Sequence, residues 1–489
     1  MQAWFSRSLW IGGVFLLVWL AVVYSWRIYN RTPNAVDVAL YFLAFPIAIL
    51  IVVWLIFKAW GFATSPIIPK STVEIAVAGK ADAENVEAAE HAAMNERGIS
   101  VGIFATAIRT AHGSSAEELT SNLRANDAQL DLDPELKNRD GFPLLTGRIG
   151  EIDEDGQLEI LSSWCETTGR VKLDWSAEQL RAISIGGEVV NELAQQVVKH
   201  PLLDSYIEAI AKNRELPLLP TLQLMIVLPK SWSIEHSQLV KDWLFDLIQK
   251  QAWPPEKISF WPVRKASPTI ALAVIDQLML DSFRLSEGCF GLLIACDSHI
   301  GETTIQEWED AGKLFVGKNC STRIPGEGAA GILFGDEVQA NLMALETSAR
   351  LHRIVQNRRT KSIDARGNAG DSILEQMIQN ALEISKIPAN KISLISADTD
   401  QCSNRIVEVM SVGCKVFPDL DPVDQYFKLT TSCGDMGAVA SVAALILGYF
   451  HVISEAEPAL SISNIDPHER TVAMLSPWRD LAINSVTNT

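Results

Sequence analysis

The stretch that most restricts the fold is residues 430–447, T-T-S-C-G-D-M-G-A-V-A-S-V-A-A-L-I-L. It opens on a polar turn, Ser432-Cys433-Gly434-Asp435, and carries no charge after Asp435. The Ala, Val and Leu side chains that follow are small enough to let a helix lie close to neighbouring backbones. A buried helix that starts at a cleft is therefore predicted. Its first N–H groups lack intrahelical partners and carry partial positive charge. A polar residue held there is either a cap or part of a site.

The rest of the chain alternates strand and helix patterns around this stretch. Residues 73–77, 99–105, 222–228, 291–295 and 392–395 are strand-length apolar runs. An uninterrupted run such as L-Q-L-M-I-V-L suits a strand buried on both faces. Residues 235–251, with Leu239, Trp243, Leu244 and Leu247, and residues 372–385 have helical spacing. This alternation predicts an α/β layered fold with parallel strands. Ser115 before Ala116-Glu117-Glu118 reads as a helix N-cap. Residues 131–135, D-L-D-P-E, lack the Gly and distal Glu of a calcium loop and read as a solvated turn.

Cofactor and metal signals are missing or misplaced. Residues 326–331 spell G-x-G-x-x-G, but a strand-like run follows the glycines where a dinucleotide site needs a helix. The seven cysteines show neither C-x-x-C nor zinc spacing and suggest a reducing compartment. No cofactor and no metal are expected.

Two charge-free apolar runs, residues 9–26 and 38–57, are each long enough to cross a bilayer as a helix. Trp and Tyr near their ends suit interface anchors. No small-residue cleavage site follows the first run, which argues against a signal peptide. Arg7, Lys58 and Lys70 flank the hairpin on one side, while Arg27 and Arg31 lie in its loop. That slight bias places the remainder of the chain in the cytoplasm, tied to the inner membrane. Of the net charge of −18, residues before Pro66 contribute +3 (Arg7, Arg27, Arg31 and Lys58 against Asp37), leaving −21 on the remainder. So acidic a surface argues against nucleic acid as a partner.

Several strings resemble the beta-ketoacyl synthases of the thiolase-like fold. Pro325-Gly326-Glu327-Gly328-Ala329-Ala330 is similar to a strand start in that family. Gly434-Asp435 and its small-residue helix resemble the family's Gly-His segment. Pro388-Ala389-Asn390-Lys391-Ile392 leads to Ala397-Asp398-Thr399-Asp400, where the family writes H-G-T-G-T. The resemblance implies two related halves, set here at residues 66–345 and 346–489 after an anchor and linker at 1–65. It puts Ala397 and Asp435 at the two histidine positions and Arg405 at an aspartate position, while Thr399 and Glu408 agree with the pattern. The family's nucleophilic cysteine lies at a turn near residues 266–273. No cysteine stands there, and Ser267 is the nearest hydroxyl. Followed by Pro268, Ser267 reads as a helix N-cap. Asp398 and Asp400 read as caps of a helix starting near Gln401.

Decarboxylative condensation needs a thiolate and two imidazoles that donate hydrogen bonds while uncharged. With all three positions changed, a pseudoenzyme is expected. Residues 73–478 further resemble the type VI secretion lipase adaptor family, through Asp140-Gly141-Phe142-Pro143 with Arg148, P-G-E-G-A-A, and Cys433-Gly434-Asp435-Met436-Gly437-Ala438. That resemblance implies an adaptor that binds a phospholipase effector and helps load it onto the secretion spike protein. Two alternatives stay open: a membrane-anchored acyltransferase using Cys433 or Ser267, and a structural component of a secretion membrane complex.

Overall fold

The computed structural model describes residues 96–478 other than 151, 252, 263–268, 316–321, 344–347 and 366–371. The runs at 9–26 and 38–57, the expected strand at 73–77 and Ser267 lie outside the described residues. Among those described, no helix is long and apolar enough to cross a membrane.

The described elements belong to one compact unit. Its first part contains β1 (Ser100–Thr110), α1 (Ala116–Arg124), β2 (Asp131–Lys137), β3 (Pro143–Thr146), α2 (Glu154–Thr168), α3 (Ala177–Val197) and α4 (Leu203–Ala211). There follow β4 (Leu222–Val227), α5 (Ile234–Lys250), β5 (Ile258–Phe260), α6 (Ile270–Leu285), β6 (Phe290–Ser298), α7 (Glu302–Asp310), β7 (Glu327–Gly335) and α8 (Glu337–Met343). The second part contains β8 (Ala349–His352), β9 (Val355–Arg358), α9 (Ile373–Ser385), β10 (Leu394–Ala397), α10 (Ser403–Val416), β11 (Tyr426–Lys428), α11 (Leu429–Cys433), α12 (Val439–Glu455), β12 (Ala459–Ser463) and β13 (Glu469–Pro477).

The main sheet runs β11-β10-β12-β13-β8-β1-β7-β6-β4-β5, with β9 added on β13. From its centre outward the two halves repeat one plan. In the first, β1 is antiparallel to β7 and β7 to β6, then β6, β4 and β5 are parallel. In the second, β8 is antiparallel to β13 and β13 to β12, then β12, β10 and β11 are parallel. The halves meet where β1 and β8 pair antiparallel.

Successive side chains of a strand face opposite layers, which explains the continuous apolar runs. In β6, Leu292 and Ile294 pack under α3, while Leu293 and Ala295 belong to the central core with α6 and α12. In β13, Val472 and Met474 face α9, while Ala473 and Leu475 face the central core. That core draws on both halves. Of the 17 residues in α12, 13 are buried, as its small side chains predict.

Three local readings change. Residues 131–135 are not a solvated turn but part of β2, because Asp133 is buried and accepts from Thr146, Arg148 and the backbone N–H groups of Glu135 and Leu136. The helix after Ser267 begins at Ile270, with Thr269 at the N-cap position. Asp398 caps no helix, since its carboxylate turns toward residues 463–465. The N-cap at Ser115 is present, its hydroxyl accepting from Glu118 N–H.

Candidate functional site

Between α11 and α12 the chain makes a tight link. Gly434 (φ +73°) and Gly437 (φ +56°) take left-handed conformations that suit glycine. Asp435 lies between them and joins a loop on the other half: its N–H donates to the Ile324 carbonyl at 2.7 Å, and its carbonyl accepts from Gly326 N–H at 3.2 Å. The Asp435 Oδ1 atom accepts from Gly437 N–H at 2.9 Å, one residue short of the α12 N-cap position. This link explains the first glycine of P-G-E-G, Gly326. A Cβ on Gly326, or on the adjoining Gly147, would overlap the Cys433 carbonyl.

Asp435 is 7% exposed. Burial opposes its ionisation, yet Arg323, His299, the Gly437 N–H and Arg405 hold its carboxyl below the ordinary value. Arg323 Nε stands 3.4 Å from Oδ2. His299 Nδ1 is 2.6 Å from the Asp435 carbonyl. A carbonyl only accepts, so this nitrogen carries a proton. The other ring nitrogen is 3.8 Å from Asp297 Oδ1. Burial lowers the His299 pKa, but Asp297, Asp435 and the carbonyl outweigh it and raise the value. Trp308 covers the cluster, 4.8 Å from the His299 ring and 5.4 Å from the Arg323 guanidinium.

Ala397 ends β10 and is 1% exposed. Beyond it, Asp398 accepts from the Ser463 hydroxyl and from the N–H groups of Asn464 (2.8 Å) and Ile465 (3.1 Å). Burial nevertheless pushes its carboxyl up to about 6. Asp400 is paired with Arg405, which also reaches Asp364 at 2.9 Å. The Asp400 carboxylate also accepts from Cys402 N–H at 3.0 Å, beside the start of α10. Glu408 lies buried between Arg359 (2.7 Å) and Arg470 (2.9 Å). Asp400 and Asp435 repel each other, and Gln401 donates to the Thr322 carbonyl. The structure thus brings the Ala397 loop and the Asp435 loop to one site.

Glu327 of the P-G-E-G string is fully buried. It accepts from Arg181 (2.7 and 2.8 Å), the Ser298 hydroxyl (2.9 Å) and Ile149 N–H (2.8 Å), which is a scaffold role. Of the three glycines of G-x-G-x-x-G, Gly328 and Gly331 lie within β7 rather than before a helix, so the run forms no dinucleotide loop. Cys433 is 0% exposed, and burial pushes its thiol up to about 12. Among the described residues, no group of three or more His, Cys, Asp and Glu is placed to hold a metal ion.

Asp297, His299, Arg323 and Trp308 carried no sequence signal used above. One was present: Cys296-Asp297-Ser298-His299 is a polar run at the carboxyl end of a buried strand, where open α/β sheets place ligands.

A sheet of two matching halves around shared central helices defines the thiolase-like, ketosynthase class of fold. The chain is similar to a beta-ketoacyl synthase from Burkholderia phymatum, with 12% identity over 78% of this chain and 100% of that one and a TM-score of 0.52. It is similar to ketosynthase twelve of the bacillaene polyketide synthase in Bacillus amyloliquefaciens, with 14% identity over 79% and 74% and a TM-score of 0.51. The ishigamide ketosynthase/chain length factor is another such structure, with 12% identity over 78% and 99% and a TM-score of 0.51. Identities this low show the fold alone. No family model matches the chain, and neither does any curated protein.

Proposed function

We propose that this chain is a pseudoenzyme on a ketosynthase scaffold. It acts as an adaptor that binds a phospholipase effector and helps load it onto the type VI secretion spike, with residues 9–26 and 38–57 as its inner-membrane anchor. One observation carries the non-catalytic reading: Asp435, which the resemblance sets at a histidine position, is held ionised by Arg323 and His299. A negative charge there opposes the enolate that would have to form, and loss of one such donor costs on the order of a hundredfold or more in rate. Ala397 offers no side-chain donor. His299 does not replace either group, because one nitrogen donates to a backbone carbonyl and the other faces Asp297.

The partner reading rests on the resemblance across residues 73–478. Two of its strings serve the scaffold, Arg148 holding Asp133 and Glu327 holding Arg181. The Asp140–Pro143 turn leaves Phe142 66% exposed between β2 and β3.

The test is co-purification of the tagged full chain with a phospholipase effector. A complex that survives size-exclusion chromatography is expected. An effector that elutes alone, together with acyl-thioester turnover by the chain, would overturn the proposal.

A further inference from the structure

Beside the Asp435 link a cavity of about 340 Å³ opens between the start of α3, the end of β6 and α7. Glu178, Asp297, Glu307 and His299 line it, with the rings of Trp232 and Trp308. Among the described residues, no lysine or arginine lines it. Two of its carboxylates are poorly provided for. Among the described residues, Glu178 is bonded only through Thr304, at 2.7 Å from the hydroxyl and through its N–H. Asp297 is 7% exposed, and its carboxylate has the N–H of Ser298 and a long, 3.8 Å pairing with His299.

Neighbouring buried carboxylates are treated differently. Glu327 accepts four hydrogen bonds and Asp398 three. A carboxylate shut from water without such partners is costly, and native proteins retain few. Asp297, with one backbone N–H and a long pairing to His299, has fewer than either neighbour, and it lines a cavity large enough for a ligand.

We infer that this cavity binds an organic cation: a guanidinium or ammonium head on an alkyl stem, supplied by a basic side chain of a partner or by a free small amine. The head would pair with Asp297 and Glu178, and the tryptophan rings would attract it through their faces. The inference stands on the cavity and does not rest on the adaptor reading.

The test titrates the full chain with butylguanidinium, butylammonium and neutral butylurea by calorimetry. Saturable binding of either cation, with butylurea at least about tenfold weaker, is expected, since only the cations form charge-assisted bonds. Asp297→Asn and Glu178→Gln should each weaken the cations about tenfold. Glu307→Gln, on an exposed side chain, gives a smaller loss and serves if the buried variants misfold. A peptide with one central arginine, compared with the same peptide carrying citrulline, assigns the source: a preference for arginine well beyond that for butylguanidinium means a partner side chain, and equality means a small amine. Equal binding of butylurea, no saturable binding, or unchanged affinity in all three variants would overturn the inference. Effector co-purification is read separately and would be unaffected.

Discussion

Asp398 shows how burial sets charge in this site. Its carboxyl is pushed from 3.8 up to about 6, burial being the largest cause. The folded protein therefore holds this proton more tightly than the unfolded chain does. The resulting stabilisation is complete below about pH 4 and is lost as pH rises through about 6. Asparagine keeps an acceptor for the Asn464 and Ile465 N–H groups and carries no charge. Asp398→Asn should therefore gain about 1–2 kcal/mol on the parent between pH 5 and pH 8. Urea midpoints at the two pH values check this, and an unchanged difference would count against it. Glu408 is the opposite case, an ionised group between two buried guanidiniums. Glu408→Gln leaves both facing a neutral amide and should cost about 3–5 kcal/mol. A urea midpoint equal to the parent's would contradict that. Cys433 should resist alkylation in the native protein, because it is buried and its thiol is pushed up to about 12. Mass spectrometry after brief iodoacetamide treatment should find label on exposed Cys414 and none on Cys433. Native labelling of Cys433 at the rate of Cys414 would revive it as a nucleophile.

At the scale of elements, the α11–α12 link depends on backbone contact with residues 147 and 324–326. Gly147→Ala puts a methyl group into the Cys433 carbonyl. The link must then move, at a cost of about 2 kcal/mol or more. Thermal unfolding would show this, and a Tm within a degree of the parent's would refute the packing described. The buried elements were legible in the sequence for a physical reason. β4, β6 and α12 are covered on all sides, so apolar runs mark them without ambiguity. The strand β2 was not legible. Its D-L-D-P-E-L-K carries a proline and few strand formers, and the Asp133–Arg148 pair holds it. The site was half legible. The resemblance singled out the loop after Ala397 and the Asp435 loop, and Asp400 and Arg405 of the first do act on Asp435 of the second, whereas His299 and Asp297 come from a strand end with no motif. The capping role expected of Asp398 failed because Ser463 and the backbone beyond it compete for its carboxylate. Asp400 does not cap the helix either: the N-cap residue is Cys402, and Asp400 accepts from that residue's own N–H in the turn before α10.

At the scale of the molecule, the repeated strand plan places one loop from each half at a common centre, with α12 rising from it. At that centre the two halves are tied together by an ion pair and a hydrogen bond. Arg323 reaches Asp435, and Gln401 reaches the Thr322 carbonyl. The most direct test incubates the purified full chain with radiolabelled acyl and malonyl thioesters and follows protein-bound label and condensed product. The account predicts neither. Stoichiometric label that disappears in Cys433→Ala or Ser267→Ala, with condensed product released, would contradict it.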